Sequence, residues 1–242
     1  MSCSPEMGRL TRRRWLGLAA GCCGALASAE EDLRQLKPRD EAGKDQALAG
    51  LLARIRELAF SRDYRALESL MAPTFRVEFD AGKGPSAFHA HWRPQVPASR
   101  LWQVLPRLLT LGGTFYSETL FAVPYVFTQF PFDLGLLDHV VALKQDAPLL
   151  EGPSSTAKRV GALDYSIVPL AQRFKPPVLL EEGAYLQLQH PGAGACFVAA
   201  ADVDSPAAHR AFFEKRQGQW RWISLTAATL KDPPIPRGTV NG

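Results

Sequence analysis

The sequence predicts an α+β protein: a helical N-terminal part with a small antiparallel sheet, then an all-β unit, then a C-terminal β-hairpin. Three observations carry this expectation. Leu48, Leu51, Leu52, Ile55 and Leu58 recur at three- and four-residue spacing, one apolar face of a helix. Between His139 and Val203, short apolar runs alternate with Gly, Pro and Ser clusters, the mark of short strands and turns. After Ser205-Pro206, two aromatic runs flank Gln217-Gly218, a hairpin pattern. A hydrophobic fraction of 46% over 242 residues is enough for a real core in one or two domains.

Residues 1–29 read as a targeting segment. Arg9, Arg12, Arg13 and Arg14 precede the apolar run Trp15–Leu26, and Ala27-Ser28-Ala29 is a small-x-small cleavage site at Ala27 and Ala29. The run is too short to span a bilayer as a helix. Thr11-Arg12-Arg13-Arg14-Trp15-Leu16 resembles a twin-arginine export signal, with Arg12 and Arg13 as the pair that is read. An ordinary secretory signal is the alternative, and Ala19-Ala20-Gly21-Cys22 offers a third, a lipoprotein anchored at Cys22. Each route takes the mature chain out of the cytoplasm, with the periplasm as the expected compartment. Contact with a membrane is expected only through the export signal, unless Cys22 is lipidated.

Charge follows the same division. The whole chain has 28 basic and 24 acidic side chains; four and one of these precede Glu30, leaving 24 and 23. Nearly balanced charge gives no electrostatic footprint for a nucleic acid. Cys3, Cys22 and Cys23 leave with the signal, so only Cys196 remains and no intrachain disulfide can form. Cys196 stands beside Phe197 and Val198 in a strand pattern, as a buried and inert thiol.

Along the mature chain, residues 30–137 form the expected N-terminal α+β part. Glu30 to Asp45, with Pro38, reads as a linker fraying into the first helix. Ser61 caps a second helix carrying Tyr64, Leu67, Leu70 and Met71, which Pro73 stops. Phe75-Arg76-Val77-Glu78-Phe79 alternates as a half-buried strand. A short helix is expected over Pro85–Trp92, with Phe88 and Trp92 on one face. Ser99 then caps a helix with Leu101, Val104, Leu105, Leu108 and Leu109, ended by Gly112-Gly113. Phe115 to Phe132 reads as a strand and a covered loop.

Residues 138–204 carry Val140-Val141-Ala142-Leu143, a turn Leu150-Glu151-Gly152-Pro153-Ser154-Ser155, then Val160-Gly161-Ala162-Leu163 and Tyr165-Ser166-Ile167-Val168-Pro169-Leu170. Ala184-Tyr185-Leu186-Gln187-Leu188 and Gly194-Ala195-Cys196-Phe197-Val198 close the set. This order resembles a bacterial Src-homology-3 (SH3b) domain, and the resemblance implies an SH3-like barrel. SH3 folds take extended ligands on an aromatic-lined groove, which makes Tyr165 and Tyr185 the expected ligand-binding residues. The sequence departs from the family at Ala184-Tyr185 and Ala195-Cys196, where Trp or Tyr is common, and the connection from Gln172 to Glu182 is long.

Residues 205–230 form the hairpin, and 231–242 a tail. Phe212-Phe213-Glu214-Lys215-Arg216 and Trp220-Arg221-Trp222 are similar to the last hairpin of ketosteroid-isomerase-like cones, which also open with helices and a strand. A two-stranded aromatic ribbon cannot stand alone, so the hairpin is expected to complete the N-terminal sheet, with the barrel inserted. The whole layout, with Phe88 and Trp92, Leu101-Trp102, Leu111-Gly112-Gly113 and Pro124-Tyr125-Val126, is similar to exported bacterial proteins that carry an SH3b domain late in the chain.

Motifs of catalysis are sparse. His89 and His91, with Glu78 and Asp80 nearby, could hold zinc, but residues two apart on a helix face different ways. Asp138-His139 and Cys196 lack the helical setting of a Cys–His nucleophile system. No nucleophile elbow and no phosphate loop is present. Glu78 would be the acid/base carboxylate of a cone-type enzyme. The expectation is therefore a non-catalytic exported binding or scaffolding protein, without cofactor or metal, whose partner is peptidoglycan or a periplasmic protein. The alternative is a cone-type enzyme or small-ligand binder interrupted by the barrel.

Overall fold

The computed structural model describes residues 33–77, 82–175, 180–181 and 183–227. The segment expected to be an export signal, with Arg12, Arg13, Cys22, Ala27 and Ala29, lies outside them, as do Glu78, Asp80 and the tail 231–242. Helix α1 (Gln46–Ser61) starts where the Asp45 side chain accepts from Ala47 N at 3.0 Å and Leu48 N at 3.1 Å. Its apolar stripe buries Leu48, Leu52, Ile55 and Leu58. Helix α2 (Tyr64–Ser69) is capped by Asp63, not Ser61, through Ala66 N.

The chain then turns extended earlier than its alternation suggests. Strand β1 is Met71–Arg76, so Met71 belongs to a strand and not to the helix. Pro73 sits within it, which is tolerable because β1 is an edge strand whose proline has no ladder hydrogen bond to lose. Helix α3 (Gly84–Trp92) buries Phe88 and Trp92, and α4 (Leu101–Thr110) buries Leu101, Trp102, Leu105, Leu108 and Leu109. Ser99 Oγ accepts from Leu101 N at 3.2 Å and donates to Trp92 O at 2.5 Å, joining the two helices.

Gly112 and Gly113 turn the chain into β2 (Thr114–Ser117) and β3 (Leu120–Val123). A Cβ on Gly113 would collide with the Ala122 carbonyl oxygen, so only glycine lets the two strands begin so close. The short helix α5 (Tyr125–Thr128) follows. At the other end of the chain, β11 (Arg210–Arg216) and β12 (Gln219–Thr226) form the hairpin. Gln217 and Gly218, at φ 51° and 78°, make its two-residue turn.

These strands share one sheet in the order β1-β12-β11-β3-β2. The hairpin therefore lies between β1 and β3. The sheet is mixed rather than antiparallel, because β1 runs parallel to β12. Most of the chain separates these two strands, which supplies the long crossover that a parallel pair needs. One face is covered by α1, α3 and α4. Trp222, Phe75 and Phe88 pack edge to face there, with Phe75 and Trp222 centroids 4.9 Å apart.

Between β3 and β11 the chain builds two further sheets. Strands β4 (His139–Ala142), β7 (Ile167–Pro169) and β10 (Val203–Asp204) form one, in the order β10-β4-β7. Strands β5 (Ala147–Leu150), β6 (Arg159–Leu163), β8 (Tyr185–His190) and β9 (Gly194–Ala199) form the other, in the order β6-β5-β9-β8. Neither sheet closes into a barrel. They meet at the isolated bridge of Leu170 to Leu188, beside which Ala171 N donates to Gln187 O at 3.0 Å, and share a core with Val140, Leu149, Leu163, Val168, Cys196 and Val198. Three-residue β7 offers too short a ladder to zip the two sheets together.

The expected linker is not loose. Gln35 bridges Ser166, Ile167 N donates to Arg34 O at 2.8 Å, and Leu36 N donates to Tyr165 O at 2.7 Å. Residues 34–36 thus pair with the β6–β7 turn, and Glu41 N then donates to Gly113 O at 2.8 Å. Backbone pairing at both ends, invisible to charge content, straps this segment down.

Candidate functional site

Helix α4 exposes the side opposite its apolar stripe. Arg100, Gln103, Val104 and Arg107 fall there at helical spacing and form one wall of a cleft. Asp204, Ala208 and His209 form the other wall, where β10 ends and the chain crosses to β11. Leu108 and Leu180 complete it, around an empty volume of about 510 Å³, open solvent included.

Arg107 ties the walls together. Its Nη2 donates to Val203 O at 2.7 Å and lies 3.6 Å from Asp204 Oδ1. Asp204 itself is almost wholly buried. Burial pushes its carboxyl up to about 6, against the pull of Arg107 and of the Ser205 backbone. Tyr125 is nearby and 1% exposed, with no hydrogen-bond partner for its hydroxyl. Burial, then Asp204, raise that phenol above its ordinary value. His209 packs against Trp92 with the rings tilted by 52° and their centroids 5.3 Å apart. Burial, Arg100 and His91 lower its imidazole to about 4, so it is neutral at physiological pH.

A second place of interest is the turn between β6 and β7. Tyr165 stands there at φ 51°, in the left-handed region that bulky side chains avoid. Its N–H donates to Lys144 O at 3.3 Å, and its carbonyl accepts from Leu36 N, so both backbone groups are pinned. Beside it, Asp164 Oδ1 is buried and has no hydrogen-bond partner, while Asp164 Oδ2 accepts from Gln35 Nε2 at 3.3 Å. Tyr185 opens β8, opposite Ala199 of β9. Both tyrosines are half-buried, and no ring contact among the described residues joins them.

The other sequence candidates are dispersed. Cys196 is fully buried in the core of the β unit, and burial raises its thiol. His139 Nδ1 faces Gly135 O at 3.0 Å, and Asp138 lies 3.6 Å from Arg173. His89 pairs with Glu68 and meets the Tyr64 ring edge-on at 5.5 Å, whereas His91 is exposed beside Trp92. Among the described residues, no three His, Cys, Asp or Glu side chains come together as metal ligands. No helix among them is long and apolar enough to cross a membrane.

Sequence reasoning missed the cleft. Arg100, Arg107, Asp204 and His209 belong to distant segments, and each alone reads as an ordinary surface charge. The one available signal was the arginine pair at i and i+7 on a helix whose opposite face is apolar. No protein-family model matches the sequence, and no curated protein or solved structure is similar to it.

Proposed function

We propose that this is an exported, non-catalytic binding protein. Residues 138–204 act as an SH3b-like unit that contacts cell-wall material or a periplasmic protein. Its short strands, its turn at Gly152-Pro153 and the Leu170–Leu188 bridge between the two sheets support that reading of the fold. The observation that carries the function is the turn at Tyr165. A tyrosine kept in left-handed backbone, next to a buried carboxylate oxygen without a partner, costs stability of order 1–3 kcal/mol. Such local cost is concentrated at binding sites, where it holds a ring in position for a ligand. Tyr185 supplies the second ring of the same unit.

The cone-type alternative draws on one observation. The opening helices, β1 and the closing hairpin meet around one sheet. The covered face of that sheet, however, is filled by Phe75, Phe88, Phe121, Phe213 and Trp222, all fully buried. A substrate would have to displace aromatic core.

Sedimentation of the mature protein with purified peptidoglycan tests the proposal. The protein should pellet with the wall, and Tyr165→Gly and Tyr185→Ala should each release it. Glycine relieves the positive φ, so Tyr165→Gly should be at least as stable as the parent while binding less. Equal pelleting by both variants would remove the tyrosines from the site. Failure of the parent to pellet would leave the periplasmic protein as the partner.

A further inference from the structure

We propose that the cleft between α4 and the Asp204–His209 crossing is a binding site for a single carboxylate carried on a short apolar arm. This site is separate from the Tyr165 turn and does not depend on it.

The lining states both halves of that ligand. Arg100, Gln103 and Arg107 offer donors along one helix face, and Val104, Leu108, Leu180 and Ala208 offer apolar surface beside them. Arg100 is exposed and makes no ion pair with any described residue. Arg107 spends Nη2 on Val203 and Asp204. A planar guanidinium has further N–H groups, and no described residue accepts from Nη1 or Nε of Arg107. Two guanidinium groups therefore line the cleft, Arg107 against Asp204 and Arg100 beside His209.

Charge counting selects the ligand. Arg100 and Arg107 contribute two positive charges and Asp204 one negative charge when ionised. His209 is neutral, because burial first, and then the neighbouring Arg100 and His91 side chains, hold its proton off. Tyr125, from α5, lies beside Asp204, and burial together with that carboxylate keeps its phenol protonated, well above its ordinary range. One positive charge is left over, which matches one carboxylate better than a phosphate dianion. Asp204 takes up a proton near pH 6, and then the second guanidinium is freed as well. Affinity for a carboxylate should rise as pH falls through that value.

Free organic acids and peptide C-termini share this chemistry, so titration calorimetry should use one of each, with inorganic phosphate as the third probe. For the full mature chain, 4-methylpentanoate or N-acetyl-alanyl-alanine should bind with a Kd of roughly a millimolar or below. Binding of the first alone points to a free acid, and binding of the second alone or more tightly to a peptide end. Arg100→Gln should weaken binding about tenfold, and Gln103→Glu should weaken it at least as much. Both positions are exposed, so both variants should keep the parent's melting temperature. N-acetyl-alanyl-alanine stays ionised down to about pH 5.5, where it should bind more tightly than at about pH 7.5. No carboxylate binding, binding of phosphate alone, parental affinity in both variants, or affinity that is flat or falls on acidification would each overturn the assignment.

Discussion

One oxygen of Asp45 caps α1, while the other accepts from Lys215 Nζ at 2.8 Å and Trp220 Nε1 at 3.0 Å. The Lys215 hydrogen bond, then Trp220, then the backbone of Leu48 hold this carboxyl well below its ordinary value of 3.8. A lowered folded pKa means that the added stability is present above about pH 4 and is lost on further acidification. Asp45→Ala should cost about 2–3 kcal/mol in urea unfolding at neutral pH, and Asp45→Asn less, because it keeps the cap. Asp204 has the opposite sign. Its folded pKa, about 6, lies above 3.8, so its favourable contribution is complete below 3.8 and is lost as pH rises through 6. Asp204→Asn should therefore raise stability at pH 8 by about 1–3 kcal/mol and flatten the pH profile between 4 and 6. A loss of stability at pH 8 would mean that the Arg107 pair outweighs burial.

At the scale of elements, regular periodicity was readable and edges were not. Leu48 to Leu58 marked α1, and Leu101 to Leu109 marked α4, because a 3.6-residue period survives any tertiary setting. The strict alternation from Phe75 onward misplaced β1, since the pairing of Met71 opposite Trp222 is decided by a partner far along the chain. Residues 34–36 looked like linker for the same reason, as their partner is the turn near Ser166. The aromatic content of 212–222 did signal a need for cover. In the sheet, β11 pairs with β3 from Ala211 to Glu214 and β12 pairs with β1. A chain ending at Asp204 would leave β1 and β3 without their central neighbours. It should melt without a cooperative transition in the N-terminal part, read by near-ultraviolet circular dichroism of Trp92 and Trp102. A sharp transition would show that α1, α3 and α4 hold that part alone.

At the scale of the molecule, α5 joins the β unit to the rest. Tyr125, Val126 and Phe130 share a buried cluster with Val141 and Ile167. On the sheet side, Phe127 meets Phe212 at 6.0 Å and lies under Arg210 at 4.5 Å. The cleft arises at the neighbouring seam, so its residues had no common signature in the sequence: a seam exists only after both sides have formed. The proposed export route is tested at Arg12 and Arg13. Replacing both with Lys should leave precursor in the cytoplasm if the twin-arginine receptor reads the pair itself. Unchanged export on an immunoblot of cell fractions would assign the ordinary secretory route.

The return of the chain from β3 to β11 also sets an order of events during synthesis. Val123 pairs with Ala211, so the sheet has no centre until the last strands leave the ribosome. Until then β1 and β3 wait with open edges, a state of high contact order that folds slowly and invites association. Strands β4 to β10 emerge before β11; β5 with β6 and β8 with β9 are local hairpins, while β4 pairs with β7 and β10, and β5 with β9, over longer stretches. Once folded, they replace a long flexible loop by a spacer with fixed ends, which lowers the entropy lost when β11 reaches β3. Folding of the middle of the chain before β11 is made should therefore speed the meeting of β11 with β3.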